Sequence, residues 1–274
     1  EGPVEGLEHW AELLYFRSKI AVRQAGGRNH LLLSLGSRLA FLEEQGNGLT
    51  PQYRLTRIAS AADAMAGCNH IAELLRSRDG RVYTVESWGN TFESREVMRT
   101  AAGQLRLSAR ARSLRDQEGV FTVTGETDPQ GGSSWAWHRA GRWDFDGSGR
   151  QHLVVGTDRG LLYVLAAEPD PTVALEFRSH GPLRDAEGRT IKIHNRAAAA
   201  GIDLDGDGRE DLIVGGCSYQ AGIPLDPTPG GGLYYLLNQG LDEEGWPRLS
   251  PPRPLVTEGL EYDRARTNAH VFVQ

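Results

Sequence analysis

The sequence has few of the residues on which several protein classes depend. Its 274 residues include only two cysteines, Cys68 and Cys217, which can form at most one bridge and cannot build a four-thiolate zinc site. No apolar run reaches the roughly 18 residues of a transmembrane helix, so we expect no membrane span. The 30 basic and 36 acidic residues give a net charge of −6. Because nucleic-acid-binding surfaces need a basic excess, we expect no nucleic-acid partner.

Motifs of several enzyme classes are also missing. The sequence contains no nucleophile elbow, phosphate-binding loop, dinucleotide fingerprint or zinc motif. It begins at Glu1 rather than at a methionine and carries no signal-peptide pattern, so we expect a processed protein or a fragment.

Glycine, in contrast, is abundant. The chain has 34 glycines and 13 prolines, which indicates many turns between short strands. Hydrophobic residues make up 39% of the chain, as is ordinary for a globular protein. The composition therefore favours an all-β fold.

A repeated pattern supports that fold class. Four times, a glycine, two variable residues and a polar residue lead into an apolar strand, with His30, His70, His152 and Asp211 as the polar residues. A second apolar strand with an aromatic residue follows in all four of these units, and a fifth such strand contains Phe121. Each pair of strands is typical of an antiparallel hairpin.

The spacing of the repeats predicts the architecture. About five units are visible, anchored near residues 30, 70, 116, 152 and 211, with a period of about 40 to 60 residues. We therefore predict a single β-propeller domain over residues 1–274, built from four-stranded blades. The C-terminal segment 267–274 resembles the strand at 197–202 and stops where another loop should begin. We expect about six to eight blades in total, completed by a missing segment or by another chain.

The strongest chemical pattern is an acidic loop. Asp203, Asp205, Asp207 and Asp211 occupy positions 1, 3, 5 and 9 of the loop, with glycines between them. Alternate residues of a tight turn can point their carboxylates inward, and the backbone carbonyl of Arg209 can supply a further oxygen at position 7. Ca²⁺ is a hard cation that binds oxygen ligands. The loop therefore predicts a calcium site with these five residues as ligands.

This loop is not an EF-hand. An EF-hand needs a glutamate at position 12, where this sequence has Val214, and needs flanking helices. The segment 212–215 instead has the pattern of a strand. We expect the ion to have a structural role, tying the strand ends together.

The run Asp-x-Asp-Gly-Asp-Gly-x-x-Asp-Leu-Ile-Val-Gly at 203–215 resembles the calcium-binding FG-GAP (or VCBS-type) repeat. That repeat builds the propellers of integrin α-subunits and of many secreted bacterial proteins. The resemblance implies a calcium-binding propeller that is secreted, on the cell surface or periplasmic.

A second loop matches the repeat only in part. Asp144 and Asp146 are present, but Ser148 stands at position 5 and His152 at position 9. We expect the side chains of Asp144, Asp146 and Ser148, with the carbonyl of Arg150, to form a weaker calcium site or none.

Besides a purely structural role as one subunit of a surface or filament assembly, two functions remain open from the sequence. The first is a binding module that recognises a glycan or a protein through its loops. The second is a polysaccharide lyase, because some bacterial propellers similar to this repeat class cleave uronic-acid polysaccharides by β-elimination. That reaction needs a base, an acid and a cation near the uronate. Two candidate sets of histidine, tyrosine and arginine can be named: His9, His30, Tyr83 and Arg99, and then His194, Arg196 and Tyr219.

Overall fold

The computed structural model describes an all-β chain, with no helix among the described residues. None of these residues therefore forms a helix long and apolar enough to cross a membrane. The described residues are 19–25, 28–35, 38–45, 52–60, 70–76, 81–88, 90–99, 101, 105–123, 138–157, 160–168, 176–193, 195–217 and 233–255. They divide into two compact units, one with residues 19–88 and 93–112 and one with residues 90–92 and 113–255.

The first unit begins with a four-stranded antiparallel sheet in which each strand pairs with the next along the chain. Its strands are β1 (Lys19–Ala25), β2 (Arg28–Leu35), β3 (Arg38–Gln45) and β4 (Gln52–Ser60). The repeated sequence pattern predicted the hairpin of β2 and β3, and their antiparallel register confirms it.

A second sheet follows in the same chain order, again with sequential neighbours. Its strands are β5 (His70–Arg76), β6 (Val82–Trp88), β7 (Thr91–Arg99) and β8 (Leu105–Leu107), with the short β9 (Arg112–Ser113) also paired to β7. The predicted hairpin of β5 and β6 is confirmed. Tyr83 and Val85 lie on one face of β6 and are 4% and 0% exposed, so this face packs in the core.

The other face of β6 carries a buried polar cluster. Glu86 accepts a hydrogen bond from Thr84 Oγ1 at 2.9 Å, and its second oxygen lies 3.9 Å from Arg95 Nε. Arg95 also donates to the carbonyl oxygens of Ser108 and Ala109 at 3.2 and 3.0 Å. Arg95 therefore ties the segment after β8 to the face of the sheet. Burial raises the pKa of Glu86, against the lowering effects of Thr84 and Arg95.

We expect Glu86→Gln to change how the stability of the chain depends on pH. Because the folded state raises the pKa of Glu86, its stabilising contribution is complete below the unfolded value near 4.5 and is lost as pH rises through the folded value. The free energy of unfolding of Glu86→Gln relative to wild type should therefore increase from pH 4.5 to pH 7.5. Urea titrations at both pH values measure this, with the exposed Glu118→Gln as control. A pH-independent difference would contradict the prediction.

The second unit opens with a short hairpin of β10 (Arg115–Asp116) and β11 (Gly119–Val120). The repeat spacing assigned a unit of its own to this region. After the hairpin, the amide of Phe121 donates to Leu114 O at 3.0 Å and that of Val123 to Asn90 O at 2.8 Å. The strand predicted around Phe121 therefore has regular strand structure only at Gly119 and Val120.

Two four-stranded antiparallel sheets form the body of the second unit. One contains β12 (Arg139–Trp143), β13 (His152–Gly156), β14 (Leu162–Ala167) and β15 (Phe177–Pro182), and the other contains β16 (Asn195–Ile202), β17 (Asp211–Cys217), β18 (Leu233–Leu236) and β21 (Arg253–Pro254). A hairpin of β19 (Asn238–Leu241) and β20 (Pro247–Leu249) precedes β21. The predicted strand pairs β13–β14 and β17–β18 are confirmed.

One apolar core joins these two sheets. The central strands β13 and β14 are buried almost throughout, as their unbroken apolar runs require. Trp143, Val154, Leu212 and Leu236 all lie in this core at 0% exposure. The recurring aromatic residues of the repeats are packing residues, each at most 8% exposed: Tyr83, Phe121, Tyr163 and Tyr234.

Candidate metal centre

Two loops of the second unit connect equivalent strands. Residues 144–151 connect β12 to β13, and residues 203–210 connect β16 to β17. With the first residue of the following strand, we name them the Asp144 loop (144–152) and the Asp203 loop (203–211). Each loop has the same number of residues, so every position in one has a counterpart in the other.

The two loops also share a backbone conformation. Each has two glycines with positive φ at equivalent positions, namely Gly147 (66°), Gly149 (75°), Gly206 (79°) and Gly208 (87°). Residues with a Cβ rarely adopt this conformation, which explains the Gly-x-Gly spacing. In each loop the second glycine amide donates to the first aspartate, at 2.9 Å in the Asp144 loop and 3.0 Å in the Asp203 loop.

Three carboxylates converge in the Asp203 loop. One oxygen each of Asp203, Asp205 and Asp211 lies within 4.8 Å of the others. Asp211 is fully buried, and its two oxygens accept the amides of Asn238 at 2.6 Å and Leu204 at 2.9 Å. The converging oxygens are therefore held in place largely by backbone donors.

These three carboxylates have no side-chain cation beside them in the described part of the chain. The nearby Arg209 instead pairs with Asp207, to which it donates both from its guanidinium and from its backbone amide. Burial raises the pKa of Asp211, and the negative charges of Asp205 and Asp207 raise it further. An external cation would relieve this repulsion.

The predicted ligands of the Asp203 loop are thus brought together in part. Asp203, Asp205 and Asp211 form the cluster, whereas the carboxylate of Asp207 is engaged by Arg209. To bind an ion, Asp207 would have to exchange this partner. Oxygen ligands of this kind suit a hard cation such as Ca²⁺.

The Asp144 loop groups two carboxylates with a histidine. Ligand atoms of Asp144, Asp146 and His152 lie within 4.8 Å of one another. Asp146 pairs with the Arg150 guanidinium and lies 3.1 Å from His152 Nε2. The Ser148 hydroxyl, predicted as a ligand, accepts hydrogen bonds from the amide and Nε of Arg150 at 3.2 and 2.9 Å.

The pKa values of the two aspartates in this loop move in opposite directions. Burial raises the pKa of Asp146, but hydrogen bonds from Ser148 and His152 outweigh that effect and hold it well below its usual range. Burial and the neighbouring Asp146 and Glu210 raise the pKa of Asp144. Burial also lowers the pKa of His152.

Two residues that sequence analysis missed connect the loops. The side chain of the buried Asn238 donates to Phe145 O at 2.8 Å and to Glu210 O at 3.1 Å, while its amide donates to Asp211. Glu210 accepts the Asp144 amide at 2.6 Å, and its carbonyl accepts Trp143 Nε1–H at 2.8 Å. The position of the Asp203 loop is therefore coupled to that of the Asp144 loop. No sequence pattern marks Asn238 or Glu210 for this role.

Comparisons with known proteins give distant similarities. No family model and no curated protein matches the chain. A xylan beta-1,4-xylosidase from Bacillus halodurans C-125 has a TM-score of 0.48 and 13% identity, covering 90% of this chain and 48% of that protein. A mutant NanB sialidase from Streptococcus pneumoniae has a TM-score of 0.39 and 10% identity, covering 84% and 33%. The chain spans about half of the first protein and a third of the second, and such distant similarity assigns it neither a family nor a function.

The side chains of most candidate lyase residues are not described by the structure. His9, His194 and Tyr219 lie outside the described residues. His30, Arg99 and Arg196 lie on β2, β7 and β16, with only their backbone positions described. Tyr83 is 4% exposed and is one of the core residues.

Two further candidates for ligand contact are core residues. Trp143, an aromatic residue beside the Asp144 loop of the kind that can stack on a sugar, is 0% exposed, and its ring centre lies 5.2 Å from that of Phe145. His138 is 1% exposed and lies 6.4 Å from the ring of Phe92. The described residues therefore give no support to a catalytic or sugar-stacking role for either.

Proposed function

We propose that the chain is a calcium-binding β-propeller module whose Asp203 loop binds one Ca²⁺. The observation that carries this proposal is the convergence of Asp203, Asp205 and Asp211 without a side-chain cation in the described structure. Asp207 and the Arg209 carbonyl would complete the ligand set, with water filling the remaining positions. The ion would hold the end of β16 against the start of β17.

The propeller architecture is part of the proposal. Sheets of four or five strands recur along the chain, and in three of them four consecutive strands of the chain are neighbours in the sheet. Propeller blades are built in this way. In the second unit, two such sheets pack face to face through one core, as neighbouring blades would.

We further propose that the module works outside the cytosol and recognises a glycan or a protein. Calcium loops of extracellular modules bind with dissociation constants of about 0.1–1 mM, which suits extracellular calcium. The ion would keep the loops at one end of the second unit in a fixed arrangement, and loops on a rigid scaffold are where binding residues concentrate.

Two measurements on the full chain test this function. Calorimetric titration of Ca²⁺ into chelator-treated protein should show binding with a dissociation constant of about 0.1–1 mM. The chain should also be retained by a polysaccharide in a panel that includes polyuronates, with retention reduced by EDTA and with no unsaturated uronate formed. Absence of calcium binding would overturn the calcium site. Ultraviolet absorbance from an unsaturated product would replace the binding module by a lyase, and failure of every polysaccharide would turn the search to protein ligands.

A further inference from the structure

The Asp144 and Asp203 loops have the same backbone conformation but differ in the side chains that neutralise or hydrogen-bond their carboxylates. The difference begins at the last position, His152 in one loop and Asp211 in the other. Both accept a backbone amide that lies at the end of the third strand of their sheet or two residues beyond it. Ala167 N donates to His152 Nδ1 at 2.9 Å, and Asn238 N donates to Asp211 Oδ1 at 2.6 Å.

That shared contact fixes the proton on His152. Because Nδ1 accepts an amide hydrogen, it carries a lone pair, and a neutral ring must then carry its hydrogen on Nε2. Nε2 therefore donates to Asp146 Oδ1 at 3.1 Å. At the equivalent place, Asp211 Oδ2 is an acceptor. His152 thus presents a hydrogen-bond donor where the Asp203 loop presents a carboxylate oxygen.

His152 also has no nitrogen left for a metal ion. Ligation through Nδ1 would displace the Ala167 amide, and ligation through Nε2 would require the loss of its proton. A fully buried histidine in this arrangement is a structural donor.

The arginine at position 7 also pairs with a different carboxylate in each loop. In the Asp203 loop, Arg209 pairs with Asp207, outside the cluster of three carboxylates. In the Asp144 loop, position 5 is Ser148, and Arg150 reaches Asp146 instead. The guanidinium therefore neutralises a carboxylate inside the cluster.

We infer that the Asp144 loop is closed by its own side chains, Arg150 and His152, and does not take a calcium ion. One oxygen there, Asp144 Oδ1, is buried without a hydrogen-bond partner in the described structure. Asp144 is thus the one carboxylate of this cluster that is not paired with a cation in the described structure, against three in the Asp203 cluster, and calcium takes roughly six to eight oxygens. The inference relies on the proposed calcium site only for its reference loop, the Asp203 loop.

The experiment counts bound calcium ions in four full-length chains by calorimetry and equilibrium dialysis. Asp203→Asn/Asp205→Asn removes the reference loop and should bind no calcium up to about 10 mM, tenfold above the upper dissociation constant. Ser148→Asp/His152→Asp gives the Asp144 loop the carboxylates of the Asp203 loop. We expect one ion in wild type, two in Ser148→Asp/His152→Asp and one in the chain that combines all four substitutions.

The possible outcomes distinguish a failure of this inference from a failure of the proposed function. Calcium bound by Asp203→Asn/Asp205→Asn would overturn the inference, as would a folded Ser148→Asp/His152→Asp chain without an additional ion. A wild-type chain that binds no ion, together with a gain in Ser148→Asp/His152→Asp, would overturn the proposed site and support the inference. If the Ser148→Asp/His152→Asp chain does not fold, the number of calcium ions bound by Asp203→Asn/Asp205→Asn tests the inference by itself.

Discussion

Replacing Gly156 by alanine should destabilise the second unit by about 3 kcal/mol or more, at the upper end of overpacking costs. A Cβ on this residue of β13 would overlap the carbonyl oxygen of Ala197 and lie 2.6 Å from its carbonyl carbon. Both are backbone atoms of β16, so they cannot move aside as a flexible side chain would. Either the two sheets separate locally or the backbone distorts. Thermal and urea unfolding of the purified variant measure the effect.

Gly188→Ala is the matched control for this variant. Gly188 has a φ of 78°, and nothing lies within 4 Å of the place where a Cβ would be. Its replacement should cost only the left-handed backbone penalty of about 1–2 kcal/mol. If Gly156→Ala lowers the free energy of unfolding no more than Gly188→Ala does, the close approach of β13 to β16 is contradicted.

This close approach depends on small residues in two segments that are far apart in the sequence. A Cβ on Gly141 of β12 would likewise overlap the carbonyl oxygen of Ala199. The glycines of one sheet therefore face the alanine run 197–200 of the other, where small residues let the backbones meet. The sequence shows both the glycines and the alanines, but the facing of one by the other is a tertiary contact that no local pattern encodes.

Local features of the fold were accessible to sequence analysis for a physical reason. Hairpins such as β13–β14 combine adjacent apolar runs with a turn, so the information lies within a short segment. The same holds for the glycines of the Asp203 loop, whose positive φ values follow from the turn itself. In contrast, Asn238 joins both loops through contacts with residues that are far away in the sequence, and an asparagine after a strand has no distinctive pattern.

The Asp144 loop was predictable from the sequence only in part. The replacement of an aspartate by His152 was visible, and it predicted a poorer calcium ligand. The direction of the imidazole was not visible, because it depends on the amide of Ala167 at the end of β14. Which carboxylate Arg150 pairs with likewise depends on the folded loop.

Asp211→Asn should lower stability both with and without calcium. Without the ion, the amide side chain can offer only one acceptor atom to the two backbone amides that Asp211 now receives, from Leu204 and Asn238. An amide donor left facing a buried backbone donor costs about 1–3 kcal/mol. With calcium, the variant also loses a ligand. Wild-type protein at a calcium concentration of 100 times the dissociation constant would gain about 2.7 kcal/mol, and we expect Asp211→Asn to lose most of that gain.

The measurement is thermal unfolding of both chains in EDTA and in increasing calcium. For a unit of this size, each kcal/mol shifts the melting temperature by about 2–4 °C, so the loss of the calcium effect is well resolved. Asp242→Asn is the control, because Asp242 also accepts two backbone amides, from Glu244 and Trp246, in a turn outside both loops. Asp242→Asn should keep the full calcium-dependent rise. An equal rise in Asp211→Asn would show that the ion binds elsewhere, because Asp211 is the fully buried carboxylate around which the proposed site is built.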